Sequence, residues 1–123
     1  MRRILSGIAV VSGLTGCAVT STEGLRMPVR SDGFADYVEA VFRRQNAVAT
    51  ELADAIDDEL PASERYAALE QLELELEIAC RGLNQLAQAQ REGEPAGGLG
   101  GLKRARGAPD CEGAADRAAR ALD

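Results

Sequence analysis

Apolar side chains recur along this chain with a helical period. Over residues 32–59, Phe34, Val38, Val41, Gln45, Val48, Leu52 and Ile56 recur at intervals of four or three. At about 100° per residue they fall within an arc of roughly 80°, flanked by Tyr37, Phe42 and Ala49, while Arg43, Asn46, Asp54 and Asp57 point away from its centre. The pattern predicts one long amphipathic helix with a single buried seam. Ser31 or Asp32 offers its N-cap, and Asp36 sits near the positive end of the helix dipole. Gln45 places a polar group in the seam, a device that fixes register at a cost in stability.

Leu60-Pro61-Ala62-Ser63 interrupts the pattern, because Pro61 cannot donate a helical hydrogen bond and Ser63 can cap a new helix. A second helix is predicted over 63–91, with the stripe Leu69, Leu72, Leu76, Ala79, Leu83 and Leu86. Gly82 lies inside it and should weaken it by about 1 kcal/mol relative to Ala. Residues 72–78 also alternate strictly, as a half-buried strand would. Leu and Glu favour helices, however, β-branched residues are scarce, and the helical period continues on both sides. Read as helix, the segment sets Leu74 and Ile78, with Ala67, almost opposite the main stripe. The second helix therefore carries a second apolar face, to be covered by a third helix or by a partner. The short connection implies an antiparallel hairpin.

Six Gly and two Pro over 93–109 predict a loose loop. It carries Lys103, Arg104 and Arg106, a basic cluster that reads as a solvated loop or as a contact for lipid phosphate or an acidic partner. A short third helix is expected over 110–122, capped by Asp110, with Ala114, Ala115, Ala118 and Leu122 as a narrow apolar face. The fold class is all-α: an antiparallel helical hairpin with a short third helix, forming a small domain over 32–123.

The chain begins differently. Met1, Arg2 and Arg3 precede an apolar run from Ile4 to Leu14, followed by the small residues Thr15, Gly16, Cys17 and Ala18, which is the layout of a secretory signal. The run is about 11 residues long, against the 20 or so a membrane-spanning helix requires. Leu14-Thr15-Gly16-Cys17 resembles the lipobox of bacterial lipoprotein precursors. That resemblance implies removal of residues 1–16 and attachment of a diacylglycerol thioether, usually with an N-acyl chain, at Cys17. Two or three acyl chains make membrane association effectively permanent, at about 0.8 kcal/mol per buried methylene. Ala18, rather than Asp, after the cysteine implies the outer membrane, facing the periplasm. Ordinary cleavage after Ala18, giving a non-lipidated periplasmic protein, is the alternative reading. Residues 17–31 are expected to form the lipidated cysteine and a flexible tether, with a reach of about 20 Å for its 13 loose residues.

With Cys17 assigned to lipid, Cys80 and Cys111 remain, in an exported chain where thiols oxidise. A disulfide between them would fasten the weak third helix. Closing a loop of about 32 residues is worth roughly 3 to 4 kcal/mol in the entropy model. Two buried free thiols are the alternative, and no Cys-x-x-Cys motif supports a redox pair.

Composition narrows the function. The 123 residues include four aromatic residues and no His or Trp, with 14 basic against 20 acidic side chains. Absence of His removes the Ser-His-Asp triad, the Cys-His pair and any His-ligated zinc, haem or copper site. Glu70, Glu73 and Glu77 form an acidic ridge that reads as a solvated flank rather than a metal site, with Glu77 and Arg81 as an i, i+4 pair. Arg43, Arg44, Gln45 and Asn46 lie about level with Glu77–Cys80 in the hairpin, as a cross-helix network or a partner patch. Without residues 1–16 the chain holds 12 basic and 20 acidic residues, net −8, which disfavours nucleic acid and anionic lipid surfaces. No catalytic residue, metal or cofactor is expected, and scarce aromatics argue against a large ligand pocket.

Residues 37–46, followed by two downstream cysteines, resemble small proteobacterial lipoproteins, a resemblance that implies no activity. In size, anchor, helices and bridge the chain also resembles secretin pilotins, without sharing a sequence motif. The expected function is a non-catalytic outer-membrane lipoprotein that acts as an envelope assembly or protein-interaction factor. Leu74 and Ile78 are its expected partner surface, with pilotin-like chaperoning of a secretin as the sharper alternative.

Overall fold

A computed structural model of the chain describes residues 18–22, 24, 26–28, 32–93 and 99–123. The signal segment and Cys17 lie outside the described residues. Helix α1, Asp32–Asp57, and helix α2, Glu64–Arg91, form the expected antiparallel hairpin. Ser63 caps α2 by accepting a 3.0 Å hydrogen bond from the Tyr66 N–H. At the other end the Glu92 N–H returns to the Gln88 carbonyl, and Gly93 turns the chain away at φ +79°, a left-handed geometry that glycine adopts without strain.

Helix α4, Ala108–Leu122, packs against both arms of the hairpin and completes a three-helix core. That core joins Val41, Val48 and Leu52 of α1 and Leu69, Leu76, Cys80 and Leu83 of α2 to Ala108, Cys111, Ala114, Ala115 and Ala118 of α4. The α1 stripe is the expected one. On α2 the most buried line runs toward Cys80, because α2 faces α4 as well as α1, and Leu72 and Ala79 are half-buried at its margin.

Two segments expected to be loose have structure. Residues Ala18–Thr20 (β1) and Arg26–Pro28 (β2) pair antiparallel, Val19 opposite Met27, with a turn closed by a 2.9 Å bond from the Gly24 N–H to the Ser21 carbonyl. A two-stranded ribbon this short is marginal alone. Val19 and Met27 are nonetheless buried with Phe34, so docking against α1 supplies what the ribbon lacks. For residues 18–20 and 26–28 the expected loose tether is corrected accordingly.

Within the Gly-rich loop, Leu99–Ala105 forms a short helix, α3, and Ala105 joins the Val19, Met27 and Phe34 cluster. Gly82 explains its position. A Cβ at Gly82 would lie 2.9 Å from the Arg104 carbonyl oxygen, so the missing side chain lets α3 meet α2 backbone to backbone. α4 also starts earlier than expected, at Ala108, with Gly107 at its N-cap and Pro109 in the first turn, where no amide is required. Asp110 is therefore a first-turn acid rather than the cap.

The two helical glycines in contact with neighbours should respond oppositely to a methyl group. Gly82→Ala is expected to destabilise the domain by about 1 to 3 kcal/mol, since the Arg104 backbone must move. Gly113→Ala meets only ordinary contacts, at 3.5 Å or more, and is expected to stabilise it by about 1 kcal/mol through helix propensity. Urea denaturation of both variants against wild type measures the pair.

Candidate functional site

Cys80 and Cys111 are fully buried and joined by a disulfide between α2 and the first turn of α4, with their Cα atoms 4.5 Å apart. Alanine makes this proximity possible. Ala108, Ala115 and Ala118 are all 0 % exposed, and side chains of one carbon let α4 lie deep in the angle between α1 and α2.

Polar side chains of α4 then secure what lies outside it. Glu112 Oε1 accepts hydrogen bonds from the Thr22 N–H (2.8 Å), from the Thr22 hydroxyl and from the Tyr37 hydroxyl (3.1 Å). One carboxylate oxygen thus joins the ribbon turn, α1 and α4. A turn below, Asp116 Oδ1 is buried without a well-aligned hydrogen bond, and its charge is met by Arg44 Nη1 at 2.5 Å. Gln45, 3 % exposed, donates from Nε2 to Asn84 Oδ1 (2.7 Å) and Asn46 Oδ1 (3.0 Å). Arg43 pairs along its own helix with Glu39. Arg44 and Gln45 therefore belong to cross-helix contacts. The partner on α2 is Asn84 rather than Glu77–Cys80, because each helical side chain leans toward its own N-terminus and the two meet between their backbone levels. No ion pair closes between Glu77 and Arg81, both exposed, where water competes with the charge pair.

Burial, then the charge of Glu112 and the hydrogen bond to it, push the Tyr37 phenol above its ordinary value of 10.0, with Asp116 adding to the effect. The fold thereby favours the protonated phenol. Its contribution to stability is present below about pH 10 and is lost as the pH rises further.

Leu74 and Ile78, the expected partner surface, are 49 % and 56 % exposed, one helical turn apart on α2. α4 leaves them bare because it packs on the side marked by Cys80. Glu70 and Glu77 flank the pair on one side of the helix and Gln71 on the other, with Gln71 Nε2 bonded to Glu75 Oε1 at 3.3 Å. A shallow groove of about 190 Å³ lies elsewhere, between α1 and α2, lined by Val38, Glu39, Phe42, Leu83, Leu86, Ala87 and Gln90. It offers apolar walls and no convergent polar constellation for chemistry. Among the described residues, no cluster of three or more metal-competent side chains occurs and no helix is long and apolar enough to cross a membrane.

No protein-family model, curated protein or solved structure matches this chain. The functional reading therefore rests on its own residues.

Three residues that organise the site carried no sequence signal: Thr22, Tyr37 as a hydrogen-bond donor, and Glu112. They are separated by up to 90 positions, and their meeting depends on a ribbon without detectable periodicity.

Replacing both Cys80 and Cys111 by Ala is expected to cost about 3 to 4 kcal/mol and to detach α4, seen as a lowered urea midpoint and rapid amide exchange over 108–122. In a second test, raising the pH above 10 should destabilise wild type more steeply than Tyr37→Phe. Parallel alkaline melting curves for the two proteins would contradict the assignment.

Proposed function

We propose that the mature protein is a lipid-anchored, non-catalytic factor of the bacterial envelope, attached through Cys17 to the periplasmic face of the outer membrane, and that it binds another envelope protein through Leu74 and Ile78. The anchor reading is supported by Leu14-Thr15-Gly16-Cys17 following a charged start and a short apolar run. The interaction reading is carried by one observation: a Leu and an Ile stay about half exposed on a well-formed helix after every other helix among the described residues has taken its place. A partner fitted to this surface presents apolar side chains with basic groups on the Glu70 and Glu77 side.

The small helical body, its bridge and the anchor also support a pilotin-like role, in which that partner is the C-terminal segment of a secretin. The two readings share one surface and differ in its occupant.

Mass spectrometry of the mature N-terminus is expected to give a diacylated Cys17, and an unmodified chain beginning at Val19 would overturn the anchor. For the partner, a photo-crosslinking residue at position 74 in the native envelope should yield a discrete adduct that Ile78→Glu abolishes. An adduct pattern identical to that from a crosslinker at exposed Glu51 would overturn the interaction surface.

A further inference from the structure

We propose that the α3 end of the domain is the face that lies on the membrane, with Lys103, Arg104 and Arg106 meeting the phosphates of anionic glycerophospholipid, and that the anchor holds it there through a stub rather than a long tether. The inference rests on acylation at Cys17. Cys17 is bonded directly to Ala18, the first residue of β1, and Val19, only two residues from the anchor, is 8 % exposed. Between the acyl chains and the folded body there is no slack in which the domain could stand clear of the headgroups.

The ribbon determines which part of the body is brought down. Val19 shares a buried cluster with Ala105, and Ala105 sits between Arg104 and Arg106. Lys103 and Arg106 are exposed and Arg104 is half-buried. None of the three forms an ion pair with a described residue, a property they share with Arg81, Arg91 and Arg120, whereas Arg43, Arg44, Arg65 and Arg117 are paired. Residues 99–107 contain no acid.

Net charge alone argues against this docking; its distribution favours it. Residues 51–77 hold ten acidic side chains and one arginine, and they surround the turn between α1 and α2. Phe34, which packs with Ala105, and Asp57 are at opposite ends of α1, about 35 Å apart at the helical rise. At physiological salt the screening length is about 8 Å, so repulsion from the acidic end is largely lost at the lipid surface while the basic end acts at contact. Asp32 and Asp36, exposed on either side of Phe34, offset part of the positive charge at this end, so the orienting force is the contrast with the far more acidic turn.

Lys103 is the only lysine in the chain, so amine-reactive labelling mapped to its peptide reports this face alone. Full-length lipidated protein is placed in detergent, in phosphatidylcholine vesicles, and in vesicles that also contain phosphatidylglycerol, with flotation recorded for each. Labelling of Lys103 should slow roughly fivefold or more in the anionic vesicles relative to detergent, and clearly less in phosphatidylcholine. The double variant Arg104→Gln, Arg106→Gln should recover most of the rate in anionic vesicles and match wild type in detergent. Protein that floats while Lys103 labels equally fast in all three overturns this orientation and leaves the anchor standing. Protein that carries no acyl chain and does not float overturns both.

Discussion

A helix whose buried face is almost all alanine cannot hold itself in place by area. Each alanine removes a single methyl group from water, and 15 residues are too few for an autonomous helix. The disulfide between Cys80 and Cys111 supplies covalently what burial cannot. Small residues are also a condition for the bond, because larger side chains along α4 would keep its backbone from approaching Cys80. Bridge and alanine face thus require one another. From α4, so fixed, project Glu112, which receives the ribbon turn and Tyr37, and Asp116, which receives Arg44. The fastening of the ribbon turn to α4 is therefore downstream of the bridge, while the strands themselves dock on Phe34 of α1.

Long elements were legible because periodicity accumulates over many turns. The stripes from Phe34 to Ile56 and from Leu69 to Leu86 locate α1 and α2 within two residues at each end, and Ser63 marks the start of α2 by its capping chemistry. Short elements were not. In β1 and β2 three residues each give no measurable alternation, and the ribbon is stabilised by Phe34 rather than by local preference. α3 is hidden by its glycines, and the feature that accommodates it is another glycine, Gly82, which in sequence reads only as a weak point in α2. Intrinsic propensity is a poor guide where a missing Cβ permits two backbones to touch.

The surface pair Leu74 and Ile78 illustrates the same division. Periodicity establishes that they oppose the seam, but whether a third helix would cover them depends on where α4 docks. Cys80 decides this. It lies on the seam side of α2, so a bridge from Cys80 draws α4 into the angle with α1 and away from Leu74 and Ile78. The bridge that completes the core therefore also leaves the second apolar face open.

In the proposed arrangement these consequences divide the molecule among separate tasks. The ribbon and α3 occupy the end of the bundle next to the anchor, with Lys103, Arg104 and Arg106, and the acidic turn between α1 and α2 points away from the lipid. Leu74 and Ile78 lie along the side of α2 rather than at either end, so docking at the membrane would leave them open to a second protein. A rigid attachment changes what such a protein meets. On a loose tether of about 20 Å the apolar pair would sample every direction, whereas a body seated on its basic end presents α2 with few orientations to search, reducing the entropy lost on association.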